Sequence, residues 1–142
     1  MDLEHLPDGT TRLRDEACTF IFQRMRPGML HVEVKGRDKG QFGAAPLDQL
    51  RAEIQRFGSL TLFIDAEQGA ATGLGVTEMW RDFFKANKNS IESVSVLVGS
   101  RYMEFMVSVA LHLANMGRVV TITTDRDVFE HNLTRQREAA PS

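Results

Sequence analysis

Between Pro46 and Leu133 the chain alternates between two spacings of its apolar residues, and this restricts the fold more than any other feature. Leu47, Leu50, Ile54 and Phe57 recur at helical spacing, with Asp48, Gln49, Arg51, Glu53, Gln55 and Arg56 between them. Gly58 stands where glycine commonly ends a helix. Leu60-Thr61-Leu62-Phe63-Ile64-Asp65 is a short apolar run that reads as a buried strand ending in an acid. Val76, Met79, Trp80, Phe83 and Phe84 then form one helical stripe, with Phe84 at its edge. A strand follows over 91–98, a third helix over about 101–116, a strand over 119–123, and a last helix with Val128, Phe129 and Leu133 on one side. Strands separated by single helices imply parallel pairing through right-handed crossovers.

Two further strands precede this alternation. Cys18-Thr19-Phe20-Ile21-Phe22 is β-branched and aromatic, and Leu30 to Gly36 alternates apolar and polar residues. Pro27-Gly28 between them marks a hairpin. The expected architecture is therefore an α/β fold, β-β-α-β-α-β-α-β-α, with helices packed on a mixed sheet. The expected organisation is one domain over 17–135 between a solvated tail at 1–16 and another at 136–142. A chain of 142 residues, 42% apolar and 25% charged, can bury one core.

A formal net charge of -2 gives no basic footprint for nucleic acid. No stretch approaches the roughly 18 continuous apolar residues that would span a bilayer. The acidic, polar start has no secretory pattern, so a cytoplasmic protein is expected. The single cysteine, Cys18, reads as a small buried apolar side chain rather than a nucleophile.

Residues that could carry chemistry are scattered. His5, His31, His112 and His131 lie on separate segments without metal-ligand spacing, so no metal is expected. Asp65, at a strand end with Glu67 two residues on, stands where an acid can bind a metal or act as a base, but without further ligands nearby it reads as a carboxylate that holds a turn or caps a helix. Gly69, Gly73 and Gly75 bracket a strand-to-helix loop, but the Lys-Ser/Thr of a phosphate-binding loop does not follow, and no cofactor is expected. No nucleophile or acid–base pair stands out, and an enzyme is not expected. The third helix has one narrow polar stripe, Arg101, Glu104, Ser108, His112 and Asn115. Its remaining surface is buried, or it meets a second copy of the chain or an apolar ligand through Met103, Met106 and Met116.

An opening hairpin followed by strand–helix repeats, with Ala70-Ala71-Thr72-Gly73-Leu74-Gly75-Val76 opening the second helix, resembles the STAS domain. This is the fold of anti-sigma-factor antagonists and of SpoIIAA-like and SEC14-like relatives. The resemblance covers roughly 17–135. Antagonists carry Asp-x-Ser/Thr-Gly-Leu-Gly at this point, and a partner kinase phosphorylates the hydroxyl. Thr72 takes that place here, while Ala70 stands where the family has its acid. Asp125-Arg126-Asp127-Val128-Phe129 looks like the SpoIIAA-like opening of the last helix.

The resemblance implies a non-enzymatic regulatory module that binds a protein, a kinase or an anti-sigma-type partner. The docking loop would carry Asp65, Gly69, Gly73, Gly75 and Glu78, with Thr72 as the switch. Read from the residues alone, Thr72 is first a helix cap, with its neighbouring glycines permitting a tight turn. The alternative function is a carrier or sensor of a small apolar ligand, as in the SEC14-like group.

Overall fold

A computed structural model describes residues 2–70, 72, 74–113, 115–116 and 119–138. Its seven strands are β1 (Asp2–His5), β2 (Thr11–Arg14), β3 (Cys18–Arg26), β4 (Met29–Gly36), β5 (Leu60–Gly69), β6 (Ile91–Val98) and β7 (Val120–Thr123). The helices are α1 (Ala45–Phe57), α2 (Leu74–Asn87), α3 (Arg101–Leu113) and α4 (Arg126–Glu138). A single 3-10 turn, Lys88–Ser90, links α2 to β6.

The strands lie side by side in chain order, β1 to β7. The first four pair antiparallel, and β4 through β7 pair parallel. The expected mixed sheet with its opening hairpin is present: β3 and β4 are joined by Pro27-Gly28, with an irregularity at Arg24–Arg26 where the strand bends into the turn.

The amino-terminal segment differs from expectation. Residues 1–16 read as a solvated tail, yet Asp2–His5 and Thr11–Arg14 form a hairpin that continues the sheet beyond β3. Leu13 is fully buried and pairs with Phe20, and the open edge of β3 supplies the ladder partners. Pairing with a preformed edge needs little apolar pattern in the added strand, which explains why the sequence looked like a tail. At the other end, α4 runs through Gln136 to Glu138, three residues into the second expected tail.

Side chains on alternate residues of a strand point to opposite faces. Phe20, Phe22, Leu30, Val32, Leu62, Ile64, Val94 and Val96 share a face with Leu47 and Leu50 of α1 and Phe83 and Phe84 of α2, forming the main core. Met29, Phe63 and Leu97 face the other way and pack on Phe129 and Leu133 of α4. Phe84, placed at the stripe's edge from sequence, is buried, while Trp80 is half-buried with its ring 6.0 Å from that of Phe84. Met116 lies past the end of α3 and is 2% exposed within the main core, so it forms no part of an external face.

Two glycines answer geometric demands. Gly58 ends α1 at φ 83°, donating its N–H to the Ile54 carbonyl at 2.7 Å. Gly36 has φ 84°, and a Cβ there would stand 2.1 Å from the Ala17 carbonyl oxygen, which only hydrogen allows.

One polar contact anchors α1 to the hairpin. Glu53, grouped with the polar face in sequence, is 3% exposed. Its carboxylate accepts two hydrogen bonds from Arg24, both 2.8 Å, and one from the Gly28 N–H at 3.2 Å. Arg24 also lies over the Phe57 ring, 5.1 Å from its centroid. Replacing Glu53 with Ala leaves a buried N–H at the turn without a partner, while Arg24 can still reach water. The loss of stability expected in chemical denaturation is about 1–3 kcal/mol, with unchanged m-value. A loss below a few tenths of a kcal/mol would show the contact to be incidental.

Candidate functional site: the loop into α2 and the cavity beneath it

β4, β5 and β6 are parallel, so their carboxyl ends gather at one end of the sheet, where loops in α/β folds commonly bind ligands or partners. Gly36 and Gly69 are paired there, and the Ala70 N–H donates to the Gly36 carbonyl at 2.9 Å. The chain then leaves the sheet and enters α2 at Leu74.

Thr72, Gly75 and Glu78 are exposed around this entry. The Thr72 and Thr77 hydroxyls lie 3.0 Å apart, so the loop residue contacts the first turns of the helix that it precedes. A Cβ at Gly75 would meet only open space, which makes that position part of an accessible surface. Gly69 closes the strand behind them. Gly73 lies outside the described residues.

Asp65 does not join this group. The strand that was expected to end there continues to Gly69, and Asp65 points to the opposite face, toward α4. It is 6% exposed, and Arg126 Nη2 donates to both of its oxygens, at 3.1 and 2.9 Å. The same guanidinium donates to Glu67 at 3.0 and 2.9 Å and to Glu130 at 2.9 Å. These bonds, to Glu67 first and Asp65 second, raise the proton affinity of Arg126 still further. The acids are thus occupied by an internal cation. Among the described residues, no group of three His, Cys, Asp or Glu side chains is arranged to hold a metal.

Beneath the loop, on the α1–α3 face, lies a cavity of about 190 Å³. Its floor is Phe20, Val34, Ile64 and Val96 of the sheet. Trp80 and Phe84 of α2 form one wall, Met103 and Val107 of α3 another, and Ala70 and Thr72 border it at the loop. Asp38, from the segment after β4, is the acid in this lining and is 3% exposed. Its Oδ1 accepts the Gly40 N–H at 2.9 Å, and burial raises its proton affinity.

Of the residues expected to form an apolar face, Met103 lines this cavity, Met116 is in the core, and the side chain of Met106 lies outside the described part. The described exposed apolar residues of α3 are Phe105, at 64%, and Val109, at 43%. Asp38, Glu53 and Arg126 escaped sequence reading as site or anchor residues. Glu53 and Arg126 are isolated charged residues whose roles are set by partners far along the chain, and Asp38, bonded locally to Gly40, joins the lining only when the fold brings its segment against the sheet.

No protein-family model matches the sequence, and no curated protein matches it significantly. Among solved structures, the chain is similar to an anti-sigma factor antagonist from Mycobacterium paratuberculosis. The similarity has a TM-score of 0.51 and 15% sequence identity, and it spans 92% of this chain and 99% of that one. The fold is thus of the STAS type that the sequence order resembled. Among the described residues, no helix is long and apolar enough to cross a membrane.

His31 and Cys18 give direct checks on these surroundings. His31 faces α4, its ring 6.1 Å from that of Phe129. Burial lowers its pKa from the ordinary 6.5, against the pull of Asp65, Glu130 and Glu33, while Arg126 adds to the lowering. The unfolded imidazole binds a proton near 6.5 and the folded one resists it. Stability is therefore full above that pH and falls as the pH drops from 6.5 through the lower folded value. The melting temperature should fall over this range, and the fall should be shallower in His31→Gln. Equal slopes would contradict the burial of a neutral imidazole.

The Cys18 thiol is pushed up to about 12, first by burial and then by Asp38 and Asp15. A thiolate-specific reagent should leave the native protein unlabelled and titrate Cys18 only after guanidinium is added.

Proposed function

We propose that this chain is a non-enzymatic regulatory module that docks a protein partner through the loop into α2 and is switched by phosphorylation of Thr72. The observation that carries this reading is the placement of Thr72: an exposed hydroxyl on the loop entering α2, at the carboxyl end of the parallel strands. The likeness to an anti-sigma factor antagonist structure supports a regulatory role of the same kind, acting in the cytoplasm with a kinase or an anti-sigma-type protein as partner.

The docking surface comprises Thr72, Gly75 and Glu78, with Gly73 included from the sequence pattern. Asp65 is left out of it because Arg126 holds it on the other face. A phosphate on Thr72 would add about two negative charges at a site already carrying Glu78, changing the sign balance a partner meets without entering the core.

The test is the intact mass of the protein isolated from its own host, compared with Thr72→Ala. The expected result is a phosphate-sized increment in the wild type that is lost in the variant. A chain that stays unmodified while the partner pathway is active would remove the switch.

A further inference from the structure

We propose that the cavity beneath the Thr72 loop binds a small, flat, apolar molecule carrying one hydrogen-bond donor, and that its occupancy holds the docking loop in place. The second half rests on the regulatory reading above; the first half does not.

Size comes first. An engineered apolar cavity of about 150 Å³ admits benzene. The volume here, about 190 Å³, suits one or two fused rings. Shape and surface follow from the lining: the Phe20, Trp80 and Phe84 rings, with Val34, Ile64 and Val107, offer apolar contact from the sheet and both helices.

Asp38 gives a ligand donor an acceptor in the lining. This side chain reaches the cavity lining at 3% exposure. Among the described residues, its one hydrogen-bond partner is the Gly40 N–H, which uses Oδ1. Its Oδ2 is not sealed from solvent, and a ligand N–H or O–H can replace water there with a charge-assisted hydrogen bond. A ligand without a donor would strip the carboxylate of that water and return no bond, so the site discriminates by polarity as well as by shape.

The link to the loop is direct. Ala70 and Thr72 border the cavity, and Gly69 lies beside them at the end of β5. A molecule resting against Ala70 and Thr72 adds packing contacts to the loop on that side.

The test uses the full chain, isotopically labelled, titrated with indole and with indene, which has the same two-ring shape but no N–H. Both should shift the amides of Ala66, Gly69 and Ala70 and the indole signal of Trp80. Indole should bind on the order of tenfold more tightly, the strength of one hydrogen bond to a charged acceptor. Asp38→Ala should bring the two affinities together, and Val107→Phe should abolish both. Met103→Trp serves as a second filling variant if Val107→Phe does not fold. Saturating indole should also slow amide exchange over 69–78.

Absence of shifts with either probe would overturn the ligand site. An indole preference that survives Asp38→Ala would overturn the role of the carboxylate. Binding with unchanged exchange in the loop would overturn the coupling. None of these readouts needs Thr72 to be modified, so they stay separable from failure of the switch.

Discussion

Each parallel crossover in this chain steps the same way along the sheet, from β4 to β5 to β6 to β7. Right-handedness then decides which face every connecting helix occupies. α1, α2 and α3 must all lie on one side, and their apolar residues meet the even-numbered residues of the central strands in the main core. The other side is left to α4, the one helix that is not a crossover, which covers it with Phe129 and Leu133. β5 is consequently covered on both faces, and its first six residues, Leu60 through Asp65, are buried.

That burial makes neighbouring residues of β5 serve different environments. Ile64 and Ala66 border an apolar cavity on the α2–α3 side, while Asp65 between them faces α4. A carboxylate at 6% exposure needs a counter-charge, and Arg126 at the first turn of α4 supplies it. The guanidinium is itself 40% exposed, so the Coulomb attraction is partly screened and the contact stabilises less than a fully buried pair would. Its larger effect is positional. Asp65, Glu67 and Glu130 converge on one planar donor group, which fixes the start of α4 against β5 and aims Phe129 at Phe63, 5.7 Å between ring centroids.

Most of the architecture was legible because periodicity is local. The stripe Val76, Met79, Trp80, Phe83, Phe84 and the run Leu60 to Ile64 declare helix and strand within a few residues. The failures share one cause: a residue's role was set by something distant in sequence. Asp2–His5 is a strand only because Thr11–Arg14 pairs with it, and Thr11–Arg14 only because β3 has a free edge. Asp65 looked like a strand end because acids commonly are; its true place depends on Arg126, 61 residues on. Glu53 fell on the polar side of the α1 pattern, yet Arg24 draws it inward. Of the cavity, only Met103 was named from sequence as facing an apolar ligand, since Phe20, Asp38, Ile64, Trp80 and Val107 come from five separate segments and only the folded chain brings them together.

A phosphate on Thr72, as proposed, would act on docking more than on stability. A phosphate at a helix entry gains about 0.3–1 kcal/mol from the helix dipole, and up to about 2 in sheltered sites. Thr72 is exposed, so the smaller figure applies, and its like-charged neighbour Glu78 is exposed as well and screened by solvent. The net change is small beside the apolar area buried by Phe20, Phe63, Phe83 and Phe129, each 1% exposed. The same charge placed within an interface from which water is excluded would act at much lower dielectric, where an unmatched charge opposes docking and an arginine opposite it favours docking. A modification at this loop would therefore leave the fold unchanged and act on which surface can approach it.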